Sequence, residues 1–143
     1  MNELRSRATK LLAHREHTRA ELTKKLAPIG TPEEIDAVLT ELERSGLLSD
    51  ARFADAYVRS HAARFGAARL RQSLRTKGVA GELIAAQVAE LPDELGRARE
   101  IWAKKYGSIP ADAREWAKQA RFLQSRGFSS DVIRQLLKDP LGD

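Results

Sequence analysis

A chain of 143 residues has room for one ordinary domain or for a few small helical units in series. Hydrophobic residues make up 42% and charged residues 31%, which excludes wholesale disorder, and without cysteine the chain can form no disulfide, thiolate zinc site or cysteine nucleophile. The net charge of +5 favours an anionic partner. The first residues lack the apolar core of a secretory signal, and charges interrupt every apolar stretch, so we expect a cytoplasmic protein without a membrane span.

Apolar residues recur at helical spacing along almost the whole chain, and no segment of useful length alternates as a strand does. Thr18 and Glu21 fit a capping box, in which each side chain binds the other residue's backbone N–H at a helix start. Thr31 and Glu34 repeat the pattern, with Pro32 in a first-turn position that tolerates proline. We therefore predict helices over residues 2–14, 18–28, 32–45, 50–64, 67–77, 81–90, 93–106, 110–126 and 129–138.

Three glycines mark the junctions between the second and third helix of three successive triplets. Each follows a leucine by four residues, and the glycines lie 48 and 49 residues apart. The pairs are Leu26 with Gly30, Leu74 with Gly78, and Leu123 with Gly127. Because helices commonly end in a left-handed residue, which glycine adopts without steric cost, we expect that conformation at all three junctions. The spacing predicts an all-α fold of three tandem three-helix repeats over 1–48, 49–91 and 92–143, stacked into an elongated, curved array.

The excess positive charge is concentrated in the middle repeat. Residues 56–81 contain no acidic side chain but carry six basic ones, which are Arg59, Arg64, Arg69, Arg71, Arg75 and Lys77. Arg71 and Arg75 project from the same side of one predicted helix, where like charges repel each other. Two interpretations remain open: an ordinary solvated face, or a surface that binds phosphates or acidic side chains. The absence of acidic residues from 56–81 favours the binding surface. Smaller basic groups stand at Lys24 with Lys25, Lys104 with Lys105, and Arg121 with Arg126.

No group of residues points to catalysis. His14 and His17 do not form the H-E-x-x-H zinc helix, and we expect them at a helix end or facing solvent. No glycine-rich phosphate loop can be drawn from the nine glycines. We therefore expect no enzyme activity, no metal and no cofactor. The aromatic residues are expected to pack in small helical cores, with base stacking on Tyr57 or Phe65 as the alternative.

Four segments of the chain, in order, resemble motifs of the RecX family. They are REHTRAEL (15–22) with Lys25-Leu26, LLSDARFADAYV (47–58), FGAARLRQSLRTKG (65–78) and RFLQSRGF (121–128). The chain departs from the family pattern at three positions: Ser49 replaces a frequent acidic residue, Ala68 a frequent proline, and Ser73 a common glutamate. None of the three departures removes a basic residue. The resemblance covers nearly the whole chain.

The resemblance implies a regulator, usually an inhibitor, that lodges in the groove of the RecA filament on single-stranded DNA. It also implies that the protein hinders growth of the RecA filament and lowers RecA's ATP hydrolysis, strand exchange and co-protease response. No symmetric apolar patch is evident in the sequence, so we expect a monomer. We expect the largest electrostatic share of binding from Arg64, Arg69, Arg71, Arg75 and Lys77. Second-rank contacts are expected from Lys24, Lys25, Lys104, Lys105, Arg121 and Arg126. A folding role is expected for Phe53, Tyr57, Leu70, Leu74, Gly30, Gly78 and Gly127.

Two other functions remain as alternatives. Three-helix units with a basic helix also occur in helix-turn-helix proteins, which enter the major groove of duplex DNA and would act without RecA. An adaptor for a different acidic protein would bind its partner with no nucleic acid present. Replacing Arg71 and Arg75 by alanine is expected to weaken filament binding while leaving the helix content unchanged.

Overall fold

The structure is a computed structural model and describes residues 2–138. Within that range it contains nine α-helices, one 3-10 turn (Ala27–Ile29) and no strand. The helices are α1 (Asn2–His14), α2 (Arg19–Leu26), α3 (Pro32–Arg44), α4 (Asp50–His61), α5 (Ala67–Thr76), α6 (Gly81–Ala89), α7 (Glu94–Lys105), α8 (Ala113–Ser125) and α9 (Ser130–Leu137). The predicted all-α class and each predicted helix are confirmed, with ends that differ by at most three residues.

Side-chain caps account for where the helices begin. Thr18 and Thr31 each accept a hydrogen bond from the backbone N–H three residues on, at 3.0 and 3.2 Å. The glutamate at that position accepts in return from the threonine's own backbone N–H, so both predicted capping boxes form. Asp112 caps α8 by accepting from the backbone N–H of residue 115 at 2.8 Å. Helix α8 therefore begins at Ala113 and not at residue 110 as predicted.

One compact unit comprises, in its described part, residues 2–57 and 74–84. Apolar side chains from α1, α2 and α3 meet in its core. The leucines that are almost completely buried there are Leu22, Leu26, Leu39, Leu42 and Leu48. Burying one such side chain contributes roughly 1.5–3 kcal/mol to stability, so these helices are held mainly by their apolar faces. A hydrogen bond also joins the two segments of this unit, because the Thr18 hydroxyl donates to the carbonyl of Lys77 at 2.7 Å.

The second compact unit comprises residues 58–73 and, in its described part, 85–138. Its core is formed by α7, α8 and α9 around Leu123, Ile133 and Leu137. A polar pair is buried beside it, since the Trp102 indole N–H donates to the Gln119 side-chain oxygen at 2.7 Å. Both units take residues from the predicted middle repeat, and the predicted repeat boundaries stay a prediction.

The junction glycines do not share one conformation. Gly78 and Gly127 have φ of +89° and +98°, the left-handed region that was predicted. The same prediction for Gly30 is wrong, because its φ is −161° and its backbone is extended. Here α2 has already ended through a 3-10 turn, and Gly30 leads the chain into the Thr31 cap. A Cβ at this position would lie 2.7 Å from Cδ1 of Leu4, so a larger residue would require the Leu4 side chain to shift.

Candidate functional site

The structure divides the predicted binding residues between the two units. The unit with residues 2–57 and 74–84 contains Lys24, Lys25, Arg75 and Lys77, and the other unit contains Arg64, Arg69, Arg71, Lys104, Lys105, Arg121 and Arg126. Within the second unit, four of these residues line one pocket of about 270 Å³. The pocket is lined by Ala63, Arg64, Ile101, Lys104, Lys105, Phe122 and Arg126. The pocket therefore brings together Arg64, predicted to contribute most to binding, and three residues predicted as second-rank contacts, which are Lys104, Lys105 and Arg126.

Two phenylalanine rings organise the cations at this site. Arg126 contacts both rings, with its Cζ 5.1 Å from the centre of the Phe122 ring and 5.8 Å from that of Phe65. Lys105 Nζ lies 5.7 Å from the Phe122 centre. The Phe65 ring also has the guanidinium carbons of Arg64 and Arg69 near it, at 5.4 and 4.2 Å. Cation–π attraction at these distances holds the positive groups in place without neutralising them.

Arg64, Arg69, Lys104, Lys105 and Arg126 are called the basic cluster below. In the described part of the chain none of its members forms an ion pair with a carboxylate. Four arginines of the other unit differ from the cluster, because Arg5, Arg15, Arg19 and Arg52 each pair with Asp or Glu. No carboxylate lines the pocket, so the site is suited to an anion from outside the chain.

The loop between α4 and α5 is docked on the end of α8. The backbone N–H of Gly66 donates to the carbonyl of Arg126 at 2.6 Å, and that of Ala68 donates to the carbonyl of Gly127 at 3.3 Å. The Arg69 guanidinium donates to the carbonyl of Ser125 at 2.8 Å. These bonds satisfy carbonyls that the end of a helix leaves unpaired, and they bring residues far apart in the chain to one place.

The same loop is also fixed from α7 by two charged residues. Arg97 is 7% exposed, and its guanidinium donates to the carbonyls of Ala62, at 3.2 Å, and Phe65. Glu94 accepts from the backbone N–H of Ala67 at 2.7 Å and lies 3.8 Å from Arg97. Burial lowers the pKa of Arg97, and the charge of Glu94 opposes that shift. Arg97 and Glu94 thus position the segment that carries Arg64.

Sequence reasoning missed Arg97 and Glu94 as positioning residues. A signal was present, because Arg97 lies beside Ala98 and four residues before Ile101, on the buried face of α7. A charged residue on a buried helix face needs internal partners, and carbonyls of an adjacent loop are suitable ones. The sequence pattern of α7 did not predict that the loop between α4 and α5 would supply those partners.

The remaining predicted residues lie outside the pocket. Arg75 is exposed, and the ammonium of Lys77 lies 5.6 Å from the centre of the Tyr57 ring. Among the residues assigned to folding, Phe53 is 6% exposed and Leu70 and Leu74 are fully buried, while Tyr57 is half-buried.

His17 corrects one expectation from the sequence. It was expected at a helix end or facing solvent; it directly precedes the Thr18 N-cap of α2, but it is 1% exposed, so the solvent-facing alternative is wrong. Its Nδ1–H donates to the carbonyl of Arg15 at 3.0 Å, and its Nε2 accepts from Lys25 Nζ at 3.0 Å. Burial lowers the pKa of His17 below its ordinary value of 6.5, and the positive charges of Arg15 and Lys25 add to that effect.

Two other kinds of site were sought in the described residues. Across 2–138 there is no group of three or more His, Asp or Glu side chains arranged to hold a metal ion. Over the same range no helix combines the length and apolar character needed to cross a membrane.

Fold and site together define a class: an all-helical protein of three-helix domains with a cation-lined pocket beside the Phe122 ring. Family models of the first, second and third three-helix domains of RecX match residues 5–42, 49–86 and 92–137, in that order. The chain belongs to the RecX family.

Known relatives agree with this assignment. Regulatory protein RecX of Leptothrix cholodnii is 55% identical over 137 residues, which cover 94% of this chain and 87% of that protein. Regulatory protein RecX of Chromobacterium violaceum is 47% identical, with 94% and 88% covered. A crystal structure of RecX from Lactobacillus salivarius superposes with a TM-score of 0.84 at 20% identity, covering 96% of this chain and 94% of that one. Another crystal structure of regulatory protein RecX gives 0.80 at 29% identity, with 96% and 71% covered.

Proposed function

We propose that this chain is a non-catalytic regulator that binds the RecA filament on single-stranded DNA, in its helical groove, and holds back RecA activity. Filament growth, ATP hydrolysis, strand exchange and the co-protease response are all reduced in this proposal. Its starting point is membership of the RecX family, whose curated relatives are named regulatory proteins. The observation that carries it is the basic cluster, whose cations have no carboxylate partner in the described part of the chain.

The cluster binds the filament through charge-assisted hydrogen bonds in this proposal. Its arginines can bind two oxygens of one phosphate or carboxylate at once, and its lysines act as compact point charges. Anions of the filament come from the DNA backbone and from acidic side chains of RecA, and both suit these cations. The chain acts as a cytoplasmic monomer, and no step of the proposal requires a metal or a cofactor.

The test is RecA's ATP hydrolysis on single-stranded DNA, titrated with this protein at two salt concentrations. We expect suppression at well below one copy per RecA, because a regulator that stops filament growth acts on many subunits. An unchanged ATPase and filament length, together with tight binding to bare duplex DNA, would contradict the proposal and favour the helix-turn-helix function. Binding to a different acidic protein without nucleic acid would favour the adaptor function.

A further inference from the structure

A second cation-lined pocket lies in the unit with residues 2–57, between α1 and α2. It has a volume of about 370 Å³, within the range of about 300–1,000 Å³ that is typical of small-ligand sites. Its lining residues are Arg7, Lys10, Leu11, His14, Arg15, His17 and Lys25. Leu11 is the one apolar side chain among them, and no carboxylate belongs to the lining.

Three of these residues form a stripe on α1. Arg7, Lys10 and His14 follow one another by three and four residues, which places them on one face of the helix. Arg7 and Lys10 carry like charges three residues apart, which destabilises a helix slightly, so this pair does not serve the stability of α1. Arg7 and Lys10 are exposed and form no ion pair within residues 2–138.

The opposite wall of the pocket is fixed by a part-buried hydrogen bond, although Lys25 itself is exposed. Lys25 Nζ donates to Nε2 of His17, which is itself held by the carbonyl of Arg15. An ammonium group has three N–H donors, so two remain for a ligand after this bond. Arg15 is the lining cation with an ion pair, at 3.3 Å from Glu21. Because Lys25 is already oriented, a ligand does not bear the entropy cost of ordering it.

We propose that this pocket is a second anion-binding site, which takes phosphate oxyanions through Arg7, Lys10 and Lys25. Guanidinium and ammonium groups together are suited to phosphate, and the lining supplies no negative charge to repel it. The phosphate belongs either to a nucleic-acid backbone or to a free phosphate compound. The site is distinct from the basic cluster, and it does not depend on RecA binding.

The experiment compares two double variants of the full chain that lose the same residue types. Arg7→Ala/Lys10→Ala removes two lining cations, and Arg44→Ala/Lys118→Ala removes two exposed cations that neither pocket contains. Affinity for fluorescein-labelled oligo-dT of about 15 nucleotides is measured by anisotropy over a range of salt concentrations. Binding of inorganic pyrophosphate is measured separately by calorimetry, and circular dichroism checks that helix content is unchanged.

We expect Arg7→Ala/Lys10→Ala to weaken oligo-dT binding by about fivefold or more and to make the salt slope shallower by about 1.4, for two lost contacts to a single strand. A loss of pyrophosphate binding alone would also support the site and would assign it to free phosphate compounds. Equal losses in the two double variants, or no loss with either ligand, would overturn the proposal.

Discussion

Arg126 contributes to the basic cluster through both its side chain and its backbone. Its guanidinium lies over Phe65 and Phe122, and its backbone carbonyl accepts from Gly66 at 2.6 Å. One residue therefore positions the loop and also presents charge to the pocket. The two tasks are separable, because a substitution of the side chain leaves the carbonyl in place.

Replacing Lys105 and Arg126 by alanine is expected to weaken binding to the RecA filament by about tenfold or more. A hydrogen bond to a charged group contributes roughly 1.5–3 kcal/mol, and about 1.4 kcal/mol corresponds to a tenfold change in affinity. The measurement is filament affinity by fluorescence anisotropy, with circular dichroism to confirm unchanged helix content.

The matched control is Arg44→Ala/Lys118→Ala, which makes the same change in net charge at exposed positions outside the pocket. We expect that variant to bind the filament as the unmodified chain does. Equal affinities for the two double variants would show that net charge, and not the cluster, governs binding.

His17 is expected to make stability depend on pH over a window that opens near about pH 7.5, just above the ordinary histidine pKa of 6.5. Its folded-state pKa lies below 6.5, so below that pH the unfolded chain gains a proton that the folded chain resists. Stability is then lost as the pH falls, by up to about 1.4 kcal/mol for each pH unit. The measurement is urea unfolding at several pH values in that window.

The variant His17→Gln is expected to unfold with a shallower dependence on pH. Glu21 does not confuse the comparison. Burial raises the pKa of Glu21, but the hydrogen bond from the Thr18 N–H and the charge of Arg15 outweigh that effect. The pKa of Glu21 therefore lies below 4.5, outside the window in which His17 is expected to act. A pH dependence that is identical in His17→Gln and in the unmodified chain would contradict the role given to His17.

At the scale of elements, the loop between α4 and α5 is the segment on which the pocket depends. Residues 62–66 belong to no helix, and they are held by Arg97 from α7 and by the turn that follows α8. Gly127 in that turn has φ of +98°, and a Cβ there would lie 2.5 Å from the Cβ of Arg69. Close approach and backbone conformation both require glycine at this point.

Gly127→Ala is therefore expected to lower the free energy of unfolding by roughly 1–3 kcal/mol and to weaken filament binding as well, because α5 must move away. The matched control is Gly46→Ala, where φ is +83° but no atom lies within 4 Å of the new Cβ. That control should lose about 1 kcal/mol and keep its filament affinity. The measurements are urea unfolding and anisotropy, and equal effects of the two substitutions would contradict the argument.

At the scale of the whole molecule, the net charge of +5 is less informative than its distribution. Arg5 and Arg19 are paired with Asp36, Glu41 and Glu43, whereas Arg7, Lys10 and the basic cluster have no ion-pair partner in the described residues. The surplus charge is thus available at particular places and not spread evenly over the surface.

If all five cluster residues contact phosphates, filament affinity should fall by about a hundredfold between roughly 50 and 200 mM salt. This follows from a slope of about −0.7 for each contact to a single strand. The measurement is anisotropy with RecA bound to single-stranded DNA and with RecA concentration held constant. A change of less than about threefold would contradict phosphate as the main ligand of the cluster.

The sequence by itself determined the local structure and the family. Helical periodicity, the Thr18 and Thr31 capping boxes and the left-handed Gly78 and Gly127 were all predicted, and the RecX resemblance is confirmed by the three domain matches. Each of these features depends on residues within about one or two helical turns, where spacing along the chain fixes spacing in space.

Only the tertiary structure decided which basic residues meet. Lys105 and Arg126 share a pocket with Arg64 although they lie far from it in sequence, while His17 is buried and Gly30 is extended, against expectation. The helical pattern predicts which face of each helix is apolar. It does not predict which loop will pack against that helix or which side chains will lie beside it. Those contacts depend on how helices distant in the chain pack together, and the spacing of residues within one helix does not determine that packing.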